Sequence, residues 1–294
     1  MLPILLLQRS PGLNPTCKDD CIKILNKYQD KLTPDQYRNI EATIGNHALE
    51  GMFADKYDID RLVRMAKNDL SYDEARIEAI AEIKSIRVQI QDKNTELPLF
   101  DQELLGSNKV EAVNLEDLFL KEQKLTLIAE LSIRDKPVTG IFDFNYLQAI
   151  HKRLFHDVYT FAGKDRFEMG YPGVFVKGET RFTPGIKLPE VSKALFDALQ
   201  DDKFFVNLDH KEFAQEMAIF FNGLNLLHPF REGNGRTQRL FMESLAQNAG
   251  YVLSLHQISQ EAMIRACQNA AKGFINSLEI LMWHHLEPIG LSKR

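Results

Sequence analysis

The sequence predicts a mainly α-helical protein with one small β-hairpin. Three observations lead there. Apolar residues recur at helical spacing along most of the 294 residues. Helix-capping residues punctuate these runs. Glycine and proline gather in one stretch, 166–187, which holds four glycines and two prolines around short β-prone runs.

The chain opens with MLPILLLQRSPG, apolar over its first seven residues. It has no basic leader, contains Pro3, and meets Arg9 where a cleavage site would need small residues. It reads as a ragged or packed N-terminus. Ile22, Leu25 and Tyr28 then mark a first helix. Thr33 before Pro34 predicts an N-cap with proline at the first helical position, and a helix through Ile40 and Ile44 to Leu49, stopped by Gly51. Further helices are expected over Ile59–Lys67 and from Tyr72 to about Ile90, the latter opened by a Ser71/Glu74 capping box. A polar segment breaks the pattern, and 91–111 reads as a linker between a segment at 1–90 and a domain at 112–294. A helix over Leu115–Leu131 opens that domain. In the Gly/Pro-rich stretch, Val174, Phe175 and Val176 pair in expectation with Thr180, Arg181 and Phe182 across a Gly178-Glu179 turn. The helix HKEFAQEMAIFFNGLNLL follows, with Gly223 as a possible end. The helix after it, to about Asn248, carries Phe241, Met242, Leu245 and Ala249 on its core side, and a long apolar helix ends at Trp283-His284-His285.

Apolar content of 44% and charged content of 26% are ordinary for a globular protein. A net charge of −5 provides no basic field for nucleic acid or an anionic membrane. No run approaches the roughly 20 apolar residues of a membrane span. The three cysteines, Cys17, Cys21 and Cys267, suit a reducing, cytoplasmic setting rather than a disulfide framework. Cys17 and Cys21 have a spacing zinc can use, but no second Cys/His pair follows nearby. His151, His156 and the His284-His285 pair beside Trp283 read as structural.

The chemistry concentrates in HPFREGNGRTQR, His228 to Arg239. Pro229 biases His228 away from helical geometry. Gly233-Asn234-Gly235 makes a corner where two residues can take positive φ, and successive N–H groups there converge just before a helix, a ready anion site. Arg236 and Arg239, three apart, add two guanidiniums suited to a polyphosphate. Glu232 is the nearest carboxylate for an accompanying Mg²⁺. His228 can accept a proton near neutral pH. The competing motifs fail: GNGRTQ lacks the third glycine of a dinucleotide fingerprint, and no Walker loop occurs. Solvated arginines at a helix start leave the His-Pro-Phe and Gly-Asn-Gly frame unexplained.

The stretch resembles the motif of Fic-domain proteins, H-P-F-x-[D/E]-G-N-[G/K]-R-x-x-R, with every constrained position matched. FDFNYLQAIHKRLFHDVYTFAGKDR, Phe142 to Arg166, looks like the family's early core helix and its Y-x-x-AG-x-x-R element. The resemblance implies a Fic fold over about 112–288, with the hairpin as its flap. It implies transfer of AMP from ATP to a Tyr, Thr or Ser hydroxyl of a target protein. In that role His228 is the general base, Phe230 anchors the loop and Glu232 holds Mg²⁺. Gly233, Asn234 and Gly235 form the anion hole, Arg236 contacts the phosphates and Arg239 lies near the γ-phosphate. Val174–Val176 and Thr180–Phe182 would dock the target by strand addition, Phe182 clamping it. Two target classes known in the family, bacterial topoisomerase subunits and host signalling GTPases, both stay open, and with them a route of secretion into a host cell. The alternatives are a non-catalytic scaffold that binds nucleotide or partner, and an enzyme that uses another donor or removes AMP.

Ala42 to Ile83 resembles a second family, the VbhA-type antitoxins that inhibit Fic toxins. Their inhibitory helix carries [S/T]-x-x-x-E-[G/N]. Here Asn46, Glu50 and Gly51 occupy those positions, with Asn in place of Ser or Thr. DLSYDEA looks like the start of the antitoxin's third helix. The resemblance implies a three-helix intramolecular inhibitor in which Glu50 pairs with Arg239 and takes the place of the γ-phosphate.

Overall fold

The computed structural model describes residues 15–85 and 97–290, so MLPILLLQRSPG and the end of the helix expected to reach Ile90 lie outside the described residues. The chain divides into two compact units: Met1–Asp135 with Asp157–Thr160, and Lys136–His156 with Phe161–Arg294. The division falls at Asp135, after the helix that opens at Leu115, rather than within the polar stretch 91–111.

In the first unit, α1 (Lys18–Leu25), α2 (Pro34–Ala48), α3 (Lys56–Ala66), α4 (Tyr72–Ser85), α5 (Leu99–Gly106) and α6 (Leu115–Asp135) follow in order. Thr33 caps α2 reciprocally with Gln36, and Ser71 bonds Glu74 at the start of α4, as their spacing predicts. Helix α3 starts three residues earlier than its apolar pattern indicates, because Asp55 and Asp58 form a capping box. Helix α5 falls in the stretch read as linker. Its C-terminal neighbours are pinned to 157–160: Lys109 donates to the Val158 carbonyl (2.8 Å) and Thr160 to that of Ser107 (3.0 Å). Such partners, some fifty residues away, are invisible to local patterning.

Cys21, Leu25, Ile40, Ile44, Ile59, Leu62, Leu127 and Leu131 form this unit's core. Each buried Leu or Ile contributes about 1.5–3 kcal/mol. Beside them α6 buries a charged row. Lys124 Nζ meets Asp58 Oδ1 at 3.0 Å and Glu82 Oε1 at 2.9 Å, and Arg61 Nη2 meets Glu82 Oε2 at 2.7 Å. Ion pairs this dry recover little beyond their desolvation cost, so the apolar cluster supplies the stability.

The second unit holds α7 (Phe144–Phe155), the hairpin β1 (Val176–Lys177) and β2 (Thr180–Arg181), α8 (Leu188–Asp201), α9 (His210–Leu227), α10 (Asn234–Asn248), β3 (Tyr251–Leu253), α11 (Gln260–Ala271), α12 (Asn276–His285) and β4 (Leu286–Pro288). The rings of Tyr146, Phe196 and Phe220 surround Phe241 of α10 at 5.7–5.8 Å between centroids. This clamps α7, α8 and α9 onto α10, each ring pair worth about 0.5–1.5 kcal/mol beyond its burial. The hairpin closes through Gly178-Glu179, with Lys177 opposite Thr180 and Gly178 at φ +61°. Its named strands are two residues each, shorter than expected, but the Phe182 N–H to Phe175 carbonyl bond (2.9 Å) extends the pairing.

Two features depart from expectation. Gly223 does not end α9, which runs on to Leu227. Its missing side chain serves packing instead: a Cβ there would lie 2.8 Å from Leu195 Cδ1 on α8. The antiparallel pair β3–β4 joins Leu253 to Leu286 and was not foreseen, since its strands are far apart in sequence.

Candidate active site

The motif bridges the end of α9 and the start of α10. Helix α9 stops at His228, whose φ of 42° and ψ of 59° are left-handed. The residue before a proline avoids the right-handed helix, and here it takes the left-handed well rather than an extended one. That conformation costs a non-glycine residue about 1–2 kcal/mol. Arg166 helps offset it: Nε donates to the His228 carbonyl (3.0 Å), and Nη2 to the carbonyls of Leu227 (3.3 Å) and Thr183 (2.7 Å). A guanidinium at a helix C-terminus also meets the negative end of the helix dipole. The same residue thereby ties the base of the hairpin to His228. Thr183 adds its own N–H (2.9 Å) and hydroxyl (3.1 Å) to the Leu226 carbonyl.

The His228 ring lies against the hairpin, 3.8 Å from the Phe182 ring at 20° and 5.4 Å from Phe175. Phe182, expected to face a target, is only 6% exposed and turns inward instead. Strand alternation explains it: Phe175 and Phe182 share the inner face while Val174 and Val176 are exposed.

After Pro229, Phe230 is fully buried and stacks on His151 with centroids 3.9 Å apart. The side chain of Asn234 closes the loop: Oδ1 accepts the Phe230 N–H (2.9 Å), and Nδ2 donates to the Phe230 carbonyl (2.7 Å). Gly233 takes φ +79°, whereas Gly235 lies within α10, so one residue of the corner is left-handed rather than two. The start of α10 has no side-chain cap. Thr237 Oγ1 donates back to the Gly233 carbonyl (2.9 Å), and the half-buried Glu232 accepts the Gly233 N–H on Oε1 (2.9 Å).

The three motif arginines are not solvated: Arg231, Arg236 and Arg239 are 4%, 2% and 5% exposed. The Arg236 guanidinium carbon sits 4.8 Å over the Phe155 ring. Phe155 also forms the wall behind Gly233, where a Cβ would approach its ring to 2.3 Å. Gly233→Ala therefore combines overpacking with a left-handed penalty, and about 2–4 kcal/mol of destabilisation is expected. Chemical denaturation reads it, and an unshifted midpoint would mean that the loop relaxes around a methyl group.

Two residues outside the motif are thus part of its architecture: Arg166, noted in sequence only as part of the Y-x-x-AG-x-x-R element, and His151, set aside as structural. Complete burial pushes the His151 pKa down to about 3, outweighing the effect of its bond to the Glu232 carbonyl, and the Arg236 charge adds to the drop.

In the first unit, the Asn46–Gly51 motif spans the end of α2. Asn46 Nδ2 donates to Glu130 Oε2 on α6 (2.8 Å), the bonding its amide allows in place of a hydroxyl. His47 is buried between the Thr43 carbonyl (3.0 Å) and Thr126 Oγ1 (2.9 Å). Glu50 is half-buried, and the chain reverses at Gly51 with φ +77°.

The Fic/DOC family model matches residues 141–246. The chain is 31% identical over 173 residues to the protein adenylyltransferase VbhT of Bartonella schoenbuchensis, covering 59% of this chain and 35% of that one. It thus spans about a third of that relative's length. A Fic domain from Bartonella quintana with bound ADP superimposes with a TM-score of 0.59 at 32% identity, covering 63% of this chain and 91% of that one. BepC from Bartonella tribocorum with bound AMPPNP gives 0.59 at 30% identity, over 65% and 99%. The chain belongs to the Fic/DOC family.

Proposed function

We propose that this protein is an adenylyltransferase that moves AMP from ATP to a hydroxyl side chain of a target protein, and that Glu50 restrains it. The observation that carries the reading is the complete motif loop: His228 held under the hairpin, followed at once by the left-handed Gly233 turn into α10 and the buried Arg236 and Arg239. The relative named an adenylyltransferase, and the neighbours holding ADP and AMPPNP, support it.

In this mechanism the acceptor hydroxyl gives its proton to His228 as its oxygen attacks the α-phosphorus. The bond from that phosphorus to the bridging oxygen breaks, and pyrophosphate leaves. The N–H groups at Gly233 and Gly235 and the guanidiniums of Arg236 and Arg239 stabilise the phosphate charge. Target backbone would add to the hairpin edge that carries the exposed Val174 and Val176.

Magnesium fits the donor set. Among the described residues no group of three or more metal-ligating side chains occurs. Within the motif, Glu232 offers a hard carboxylate, which suits an ion held by one carboxylate and the substrate's own phosphates. Bound there, Mg²⁺ would neutralise phosphate charge. Glu232→Ala is expected to weaken the magnesium dependence of nucleotide binding and to abolish transfer. A magnesium titration identical to the parent's would move the ligand elsewhere.

The restraint rests on Glu50 as a carboxylate that competes with the γ-phosphate for Arg239. The N-terminal segment would then act as a built-in antitoxin, with topoisomerase subunits or host GTPases as candidate target classes. The basic test supplies the Glu50→Gly protein and lysate with ATP labelled at either the α- or the γ-phosphate. Protein-bound label from the α position alone is expected. Label from the γ position would mean phosphate transfer and reject the reading.

A further inference from the structure

We propose that His151 is a positioning residue for the motif loop: as a neutral imidazole it holds and polarises the Glu232–Gly233 peptide, whose N–H opens the phosphate cradle. This rests on the reading of residues 233–239 as a phosphate site.

The tautomer follows from the hydrogen bonds. A backbone N–H can only donate, and that of Gly163 reaches His151 Nδ1 at 2.8 Å. Nδ1 therefore presents a lone pair, and the ring proton sits on Nε2. That Nε2–H donates to the Glu232 carbonyl at 3.0 Å. The ring cannot turn away. Phe230 stacks on it at 3.9 Å and 8°, and the Phe155 ring lies 4.8 Å off. The side chain is fully buried, so water does not compete for either bond.

Both partners belong to segments that build the site. Gly163 lies three residues before Arg166, which grips the His228 carbonyl. Glu232 precedes the left-handed Gly233 that starts the turn into α10. A carbonyl that accepts a hydrogen bond polarises its whole peptide, and the N–H on the other side becomes a stronger donor. Here that N–H belongs to Gly233, and it already serves an anionic oxygen, Glu232 Oε1, at 2.9 Å. His151 thus acts on phosphate through the backbone, much as second-shell partners tune metal ligands. A merely space-filling histidine would need neither tautomer nor orientation.

The test combines nitrogen NMR with two substitutions. In the parent protein, ¹⁵N shifts should show Nδ1 unprotonated and Nε2 protonated, and the opposite tautomer would overturn the proposal. His151→Gln keeps a donor near the Nε2 position, whereas His151→Asn keeps only an acceptor near Nδ1. The Gly233 amide proton should move upfield in H151N and stay near its parent position in H151Q. ADP should bind about tenfold more weakly to H151N and within about threefold of the parent to H151Q. Equal losses of thermal stability in both variants, with unchanged ADP affinity and Gly233 shift, would reduce His151 to a packing residue. If H151N does not fold, the parent tautomer together with H151Q's ADP affinity and Gly233 shift decides the matter. The tautomer and the Gly233 shift are read without nucleotide. Failure of the parent to bind ADP would therefore count against the phosphate reading alone, and those two readouts would still decide the role of His151.

Discussion

His228→Ala is expected to leave ATP–Mg²⁺ binding near the parent level and to remove protein labelling. In the proposed mechanism the imidazole takes the acceptor's proton, whereas the phosphates are held by Gly233, Gly235, Arg236 and Arg239. Loss of a general base costs about 10²–10⁴-fold in rate. Two measurements separate the steps: nucleotide titration by calorimetry, and label transfer in a Glu50→Gly background. Retained labelling would remove His228 from the chemistry. A large loss of nucleotide affinity would point to a different fault, collapse of the loop, because the ring packs on Phe182 and its backbone carbonyl is held by Arg166. His228→Phe, which preserves the stacked ring without a proton acceptor, keeps that distinction measurable.

The second large effect concerns Glu50 and Arg239. If Glu50 restrains the enzyme as proposed, Glu50→Gly removes the competing carboxylate and Arg239 becomes available to the γ-phosphate. If the restrained form is about 99% of the population, release raises the competent fraction, and the labelling rate, by roughly 100-fold. Self-labelling should rise with it, and expression should slow bacterial growth. Arg239→Ala breaks the same proposed pair but is expected not to activate, since it also deletes the phosphate ligand that the carboxylate blocks. That asymmetry is the diagnostic result. A purely structural ion pair would make either change destabilising without activating. Equal, low labelling in the parent, Glu50→Gly and Arg239→Ala would reject autoinhibition.

Much of the fold was legible in the sequence because its signals are short-ranged. The Thr33–Gln36 cap and the Ser71–Glu74 bonds each span three residues, and the hairpin turn spans two between its strands. The family motif was legible for the same reason, since His228 through Arg239 form one contiguous loop and helix start. Where the reading fell short, the missing partner was distant. Helix α5 needs the 157–160 stretch, β3 needs β4, and Gly223 is explained only by Leu195 of a neighbouring helix.

The sequence by itself therefore determined the capped and periodic helices such as α2 and α4, the hairpin and the family motif, because each is specified by residues within reach of one another along the chain. Tertiary structure alone decided how the motif is held. Arg166 reaches the His228 carbonyl across 62 positions, and His151 reaches that of Glu232 across 81. Only packing made Phe182 a cover for His228 rather than a surface clamp, and buried guanidiniums that could have been solvated. An arginine or histidine carries the same donors in any sequence. Whether those donors meet water, a ring face or a carbonyl is set by burial, and burial is a property of the assembled fold.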